Sequence, residues 1–305
     1  MTIGKKMVVL FSGLVKNRYG ELRSGWAIFA VLLVIVIAQM IARPLSEIGD
    51  ESNPVFKLEV TFVYGIISIG SILLLFKLFY KRSFKQIGLI SEKGIRTFFF
   101  GLAFGAISIG IVCFLLMITG QLRIVTFDKE KLFSFGTIAE FISVCVFMFS
   151  EELLARGFFM TAMKTTRIKW VILFVPAIIF SILHFMNPDI TLLSLINIFI
   201  AGSLFGYMFM KSGALWLSTG FHVAWNFLTG DIFGMKTSGT EQPSVLITEM
   251  GNNSLLTGLP NGTDASIFTT CILLLAILLV FLLIKKPNHS GWTYDNNLPL
   301  IRGNS

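Results

Sequence analysis

The sequence predicts an all-α fold, a polytopic membrane protein built as a bundle of about eight transmembrane helices. Of its 305 residues 54% are hydrophobic and only 14% charged, whereas soluble domains carry about a quarter charged residues. Mean hydropathy is +0.80. Apolar runs of about 20 residues, the length that carries a helix across a bilayer, recur along the chain. None shows the alternation with period two that a barrel strand requires.

The expected spans are 24–42, 55–79, 95–119, 137–163, 169–185, 190–210, 213–229 and 266–284. They form one membrane domain, 24–284, between an interfacial N-terminal segment, 1–23, and a tail, 285–305. The start, MTIGKKMVVLFSGLV, puts lysines before a short apolar run but lacks a small-residue cleavage signal, which favours a basic interfacial segment over a cleaved leader. The net charge of +8 follows membrane topology. Lys5, Lys6, Lys16, Arg18 and Arg23 precede the first span, and Lys77, Lys81, Arg82, Lys85, Lys93 and Arg96 surround the second connection. Lys164, Arg167, Lys169, Lys211, Lys285, Lys286 and Arg302 occupy the later loops and tail of the same parity. The opposite loops hold Glu47, Asp50, Glu51, Asp189, Asp231, Glu241, Glu249 and Asp264, and only the loop after the third span is mixed, with Arg123, Lys129 and Lys131 beside Asp128 and Glu130. Basic loops stay inside, so the chain reads as a multi-pass plasma-membrane protein with both termini cytoplasmic. Its partner is the lipid bilayer, not nucleic acid.

GLAFG (Gly101, Gly105) and GSLFG (Gly202, Gly206) are small-xxx-small patterns suited to close helix packing. Cys113, Cys145 and Cys271 sit far apart in apolar runs and read as packing residues. The loop 230–265, the one long connection, reads as a lid, a re-entrant turn or a plain linker.

The segment FMFSEELLARGFFM breaks the apolar pattern with Glu151, Glu152 and Arg156. Charges at the centre of a membrane helix cost roughly 2.5–3.5 kcal/mol each, on the order of 8 kcal/mol for three. Such residues either compensate one another or do chemistry. Glu152 and Arg156, four apart, share a helix face and are expected to pair, while Glu151 is turned about 100° away. His184 in FSILH, and His222 with Asn226 in HVAWN, are the other polar groups deep in spans. At a rise of about 1.5 Å per residue, Glu151, His184 and Asn226 come to a depth of roughly 20 Å from the basic side and His222 to about 14 Å. A carboxylate and imidazoles in one layer can activate water and stabilise an oxyanion, or ligate Zn²⁺ through His184, His222 and Glu151. Neither HExxH nor the di-iron ExxH pairing is present. Phe180, Phe221 and Trp225 read as packing.

EELLARG, FSILH and HVAWN, in the order EExxxR, FxxxH, HxxxN, resemble the CPBP family: type II CAAX prenyl endopeptidases and bacterial relatives linked to bacteriocin processing and self-immunity (Abi-like proteins). The similarity extends over about 137–285 and into the GNNSLLTG loop. Ala155 stands where an aromatic residue commonly precedes the arginine. The resemblance implies an intramembrane endopeptidase acting on a membrane-embedded or lipidated peptide. Glu151 would be the base that activates water, His184 its assistant, His222 and Asn226 the oxyanion site, and Glu152 and Arg156 the supporting pair. Members are often labelled metalloproteases, yet the implied mechanism requires no cofactor, with Zn²⁺ the alternative. The rival reading is a non-proteolytic immunity factor or a proton-coupled transporter using the same cluster.

Overall fold

The computed structural model describes residues 14–17, 20–47 and 54–285. Lys5, Lys6, Arg18, Asp50, Glu51, Lys286, His289 and Arg302 lie outside the described residues.

Each predicted span is helical. The helices are α1 (Ser24–Glu47), α2 (Pro54–Tyr80), α3 (Gly94–Ile118), α4 (Phe135–Glu152), α5 (Lys169–Leu183), α6 (Leu192–Ser212), α7 (Trp216–Phe227) and α8 (Ile267–Leu283). Side chains that can accept from exposed backbone N–H groups start several of them. Ser134 caps α4 through Thr137 N, a Thr191–Ser194 capping box opens α6, and Ser266 caps α8. Pro176 lies inside α5 without ending it, and α5 passes into a 3-10 turn at His184–Met186.

Four segments, Val60–Tyr80, Gly94–Ile118, Lys169–Met186 and Leu192–Ser212, are long and apolar enough to cross a membrane, and Ser24–Met40 and Ile267–Leu283 are shorter apolar helices. The two remaining helices, α4 and α7, with the turn after α4, carry all of the polar cluster except His184, which follows α5. Both end in π-helical turns, Leu153–Phe159 after α4 and Leu228–Ile232 after α7. Outward faces of the bundle are apolar, with Phe99, Ile107 and Phe114 on α3 and Leu274, Leu278 and Phe281 on α8 exposed. An apolar surface of this extent suits a lipid solvent. Cys113 is buried as expected, but Cys271 is exposed on this outer face, because its position on α8 points away from the neighbouring helices.

Glycines set the tightest contact. A Cβ on Gly101 would stand 2.2 Å from Leu217 O, and one on Gly220 would stand 2.1 Å from Phe98 O. Since α3 and α7 meet backbone to backbone there, the pattern in GLAFG serves packing, and it holds α7 in place under its histidine.

The connections sort into two groups, one at each end of the bundle, as the number of spans between them requires. Arg82 pairs with Glu21, Ser24 Oγ donates to Ala162 O at 2.6 Å, and Lys211 Nζ donates to Ile284 O at 2.8 Å. These bonds join only segments expected on the basic side. On the other end, β1 (Leu122–Phe127) pairs antiparallel with β2 (Leu246–Met250), with a bulge between Ile124 and Thr126. The loop 230–265 is therefore a folded cap. Asn261 Nδ2 donates to Pro188 O at 3.0 Å, and Asn197 Nδ2 donates to Asp264 O at 2.8 Å. Gly258 ends the short helix Ser254–Thr257 at φ 79°, where its missing Cβ leaves room for Gly262 O.

Candidate active site

The polar residues singled out in the sequence come together around one cavity of about 620 Å³. Glu151, His184, His222 and Asn226 all line it. The walls come from α1, α2, α4, α5, α6, α7 and α8, and Thr237, Ser238, Thr240, Gln242 and Asp264 of the cap close the end beside Asn187 and Pro188.

Glu152 and Arg156 do not line the cavity; they form its foundation. Arg156 Nη1 donates to Glu152 Oε1 at 2.9 Å, and Nη2 donates to Gly202 O at 3.1 Å. The guanidinium also lies 4.6 Å from the centre of the Phe180 ring and 5.1 Å from that of Phe205. In a dry interior, this combination of a carboxylate, a carbonyl and two aromatic faces replaces the water that a guanidinium would otherwise hold. Gly202 thus does two jobs. Its small size brings α6 against Ala177 of α5, and its carbonyl completes the arginine's shell.

The same Glu152 oxygen reaches His222. Nδ1 of that ring is 3.1 Å from Glu152 Oε1, and Nε2 is 3.8 Å from Glu151 Oε2. An ionised carboxylate only accepts, so Nδ1 carries the hydrogen and Nε2 is the nitrogen left for chemistry. Phe205 packs 4.9 Å from the His222 ring and Phe180 meets it edge-on at 6.2 Å. His184 is oriented the same way by another acceptor: Nδ1 is 2.7 Å from Phe180 O, one helical turn back. Because a carbonyl cannot donate, this bond also fixes Nδ1–H and leaves Nε2 free of it. Asn226 Nδ2 donates one hydrogen to His222 O at 3.1 Å and keeps a second.

Glu151 is partly accessible, its side chain 24% exposed, whereas that of Glu152 is fully buried. The adjacent glutamates thus have opposite surroundings, one open to the cavity and one locked in a pair. The π turn starting at Leu153 follows directly, and such insertions recur at functional sites because they re-aim side chains without ending the helix.

Sequence reasoning passed over several contributors. Phe180 and Phe205 hold Arg156 and His222, and Gly202 supplies a carbonyl. Only the position of Phe180, one turn before His184, hinted at such a role. Glu140 and Asp231 also line the cavity.

Among the described residues, no three His, Cys, Asp or Glu side chains form a group suited to hold a metal ion. His184, His222 and Glu151 share the cavity but do not converge as a ligand set.

Residues 134–228 match the protein family described as type II CAAX prenyl endopeptidase Rce1-like. The match runs from the cap of α4 to the first residue of the π turn after α7 and includes all six residues discussed. No curated protein and no solved structure gives a significant match.

Proposed function

We propose, from the match of residues 134–228 to the type II CAAX prenyl endopeptidase Rce1-like family, that the protein is a membrane protease that cleaves a peptide bond by water activated on Glu151. One observation carries the reading. Glu151, open to the cavity, stands 3.8 Å from Nε2 of a histidine whose other nitrogen is anchored on Glu152.

In the proposed reaction a water in the cavity gives a proton to the Glu151 carboxylate, and its oxygen adds to the scissile carbonyl carbon. The carbonyl π electrons move to oxygen. His184 accepts a hydrogen bond from the water through Nε2. The second hydrogen on Asn226 Nδ2, and Nε2–H of His222 when that ring carries both protons, donate to the developing oxyanion. Collapse breaks the C–N bond, and Glu151 returns its proton to the leaving amine. The Glu152–Arg156 pair acts through His222 and is a positioning element.

The substrate is a membrane-associated peptide: a lipidated C-terminus, a leader peptide of the kind removed in bacteriocin maturation, or a small membrane protein. Glu151→Gln keeps the shape but removes the base, and general-base loss is expected to lower cleavage by about 10²–10⁴-fold. Membrane peptides from cells carrying wild type or Glu151→Gln would be compared by mass spectrometry, with the purified proteins then assayed on the peptides that differ. Equal cleavage by both would refute the base, and no differing peptide would favour the non-proteolytic immunity or transport reading.

A further inference from the structure

The cavity extends beyond the residues used in the reaction, toward the cap, and changes character there. Asp231 lines it, is only 6% exposed, and its Oδ1 has no hydrogen-bond partner. Glu140 lines the same cavity from α4. The two elements meet at this level, since the rings of Phe141 and Phe227 pack edge to face at 5.0 Å. Burial, and after it the charge of Glu140, push the Asp231 carboxyl up to about 8, with Lys131 opposing weakly. A buried carboxylate without a partner is costly. The family match stops at residue 228, before Asp231.

We propose that Asp231 and Glu140 form a specificity subsite for a cationic side chain, lysine or arginine, of the bound peptide. The subsite rests on the peptidase reading above, since it needs a peptide in the cavity. A cation there pairs with the orphaned Asp231 oxygen and favours its ionised form. Its distance from the chemistry follows from helix geometry. Asp231 is five positions beyond Asn226, about 7.5 Å of rise, and Glu140 is eleven before Glu151, about 16 Å. At about 3.3 Å per extended residue, the cation falls about two to five residues from the scissile bond, on the capped side.

The test uses a series of fluorescent apolar peptides, each with one lysine, glutamine or glutamate walked through successive positions. Binding is measured to full-length Glu151→Gln protein in detergent micelles, and cleavage to the wild type. In binding, lysine at the favoured position is expected to outdo glutamine by about tenfold or more, with glutamate weakest. Asp231→Asn in the same background is expected to abolish that preference. If Asp231→Asn does not fold, Glu140→Gln, at a half-buried position, is expected to reduce the preference severalfold. A wild-type preference that neither folded variant alters, or no lysine preference at any position, overturns the subsite. Failure of the peptidase reading looks different: lysine-dependent binding persists while no peptide is cleaved.

Discussion

Replacing Arg156 with leucine strands Glu152, whose side chain is fully buried and whose Oε2 already has no hydrogen-bond partner. Breaking a buried ion pair by removing one member costs roughly 3–5 kcal/mol. The lost bond to Gly202 O and the contacts with Phe180 and Phe205 add about 1–3 kcal/mol. Against a total stability of about 5–15 kcal/mol, this is a large fraction. Converting Glu152 to glutamine in the same protein removes the stranded charge yet leaves an amide oxygen to accept from His222 Nδ1. The double variant Glu152→Gln, Arg156→Leu is therefore expected to be more stable than Arg156→Leu alone by about 2 kcal/mol or more. Reversible unfolding in mixed micelles, run on wild type, both single variants and the double, yields the coupling energy directly. Arg156→Leu within about 1 kcal/mol of wild type, or a double variant no better than that single one, would refute the compensation argument.

Gly220→Ala puts a methyl group 2.1 Å from the Phe98 carbonyl oxygen, a backbone atom that cannot rotate away. Separation of α3 and α7 is expected to cost about 1–3 kcal/mol, and an unchanged melting temperature would sink this. Burial, with the Arg82 charge second, pushes the Lys164 ammonium down to about 8. The unfolded chain then holds more protons than the folded one between about 8 and 10.5, so stability rises with pH across that window and the contribution is level below it. Melting temperatures from pH 7 upward should show this rise in wild type and lose it in Lys164→Met; equal slopes would count against the buried ammonium. Treatment of the purified enzyme with a zinc chelator is expected to leave cleavage undiminished. Loss of activity restored by added zinc would instead favour the His184, His222 and Glu151 ligand set.

Hydropathy made the helices legible, because a bilayer demands long apolar runs whose backbones satisfy themselves. The Glu152–Arg156 pair was legible as well, since a spacing of four on one helix fixes a contact regardless of tertiary structure. Counting the spans indicates which connections share a side, and the Glu21–Arg82 pair and the β1–β2 ribbon join segments of equal parity. Depth counting brought Glu151, His184, His222 and Asn226 to one layer, and all four line one cavity. What each ring nitrogen faces was beyond it. That depends on rotation about each helix axis, which apolar composition on all sides leaves undetermined.

By itself, then, the sequence determined a membrane bundle, the order of its spans and the identity of the polar residues within them. Only the tertiary structure decided that Glu152 serves Arg156 and His222 together, that Gly202 and two phenylalanines complete the arginine's shell, and that the long loop folds into a cap. It also turned Glu140 and Asp231 toward the space beneath that cap. The reason is physical. Local spacing and transfer energy are properties of one helix, whereas a shared oxygen, a stacked ring or an orphaned carboxylate exists only once separate helices have been brought into register by backbone-to-backbone packing at Gly101, Gly202 and Gly220.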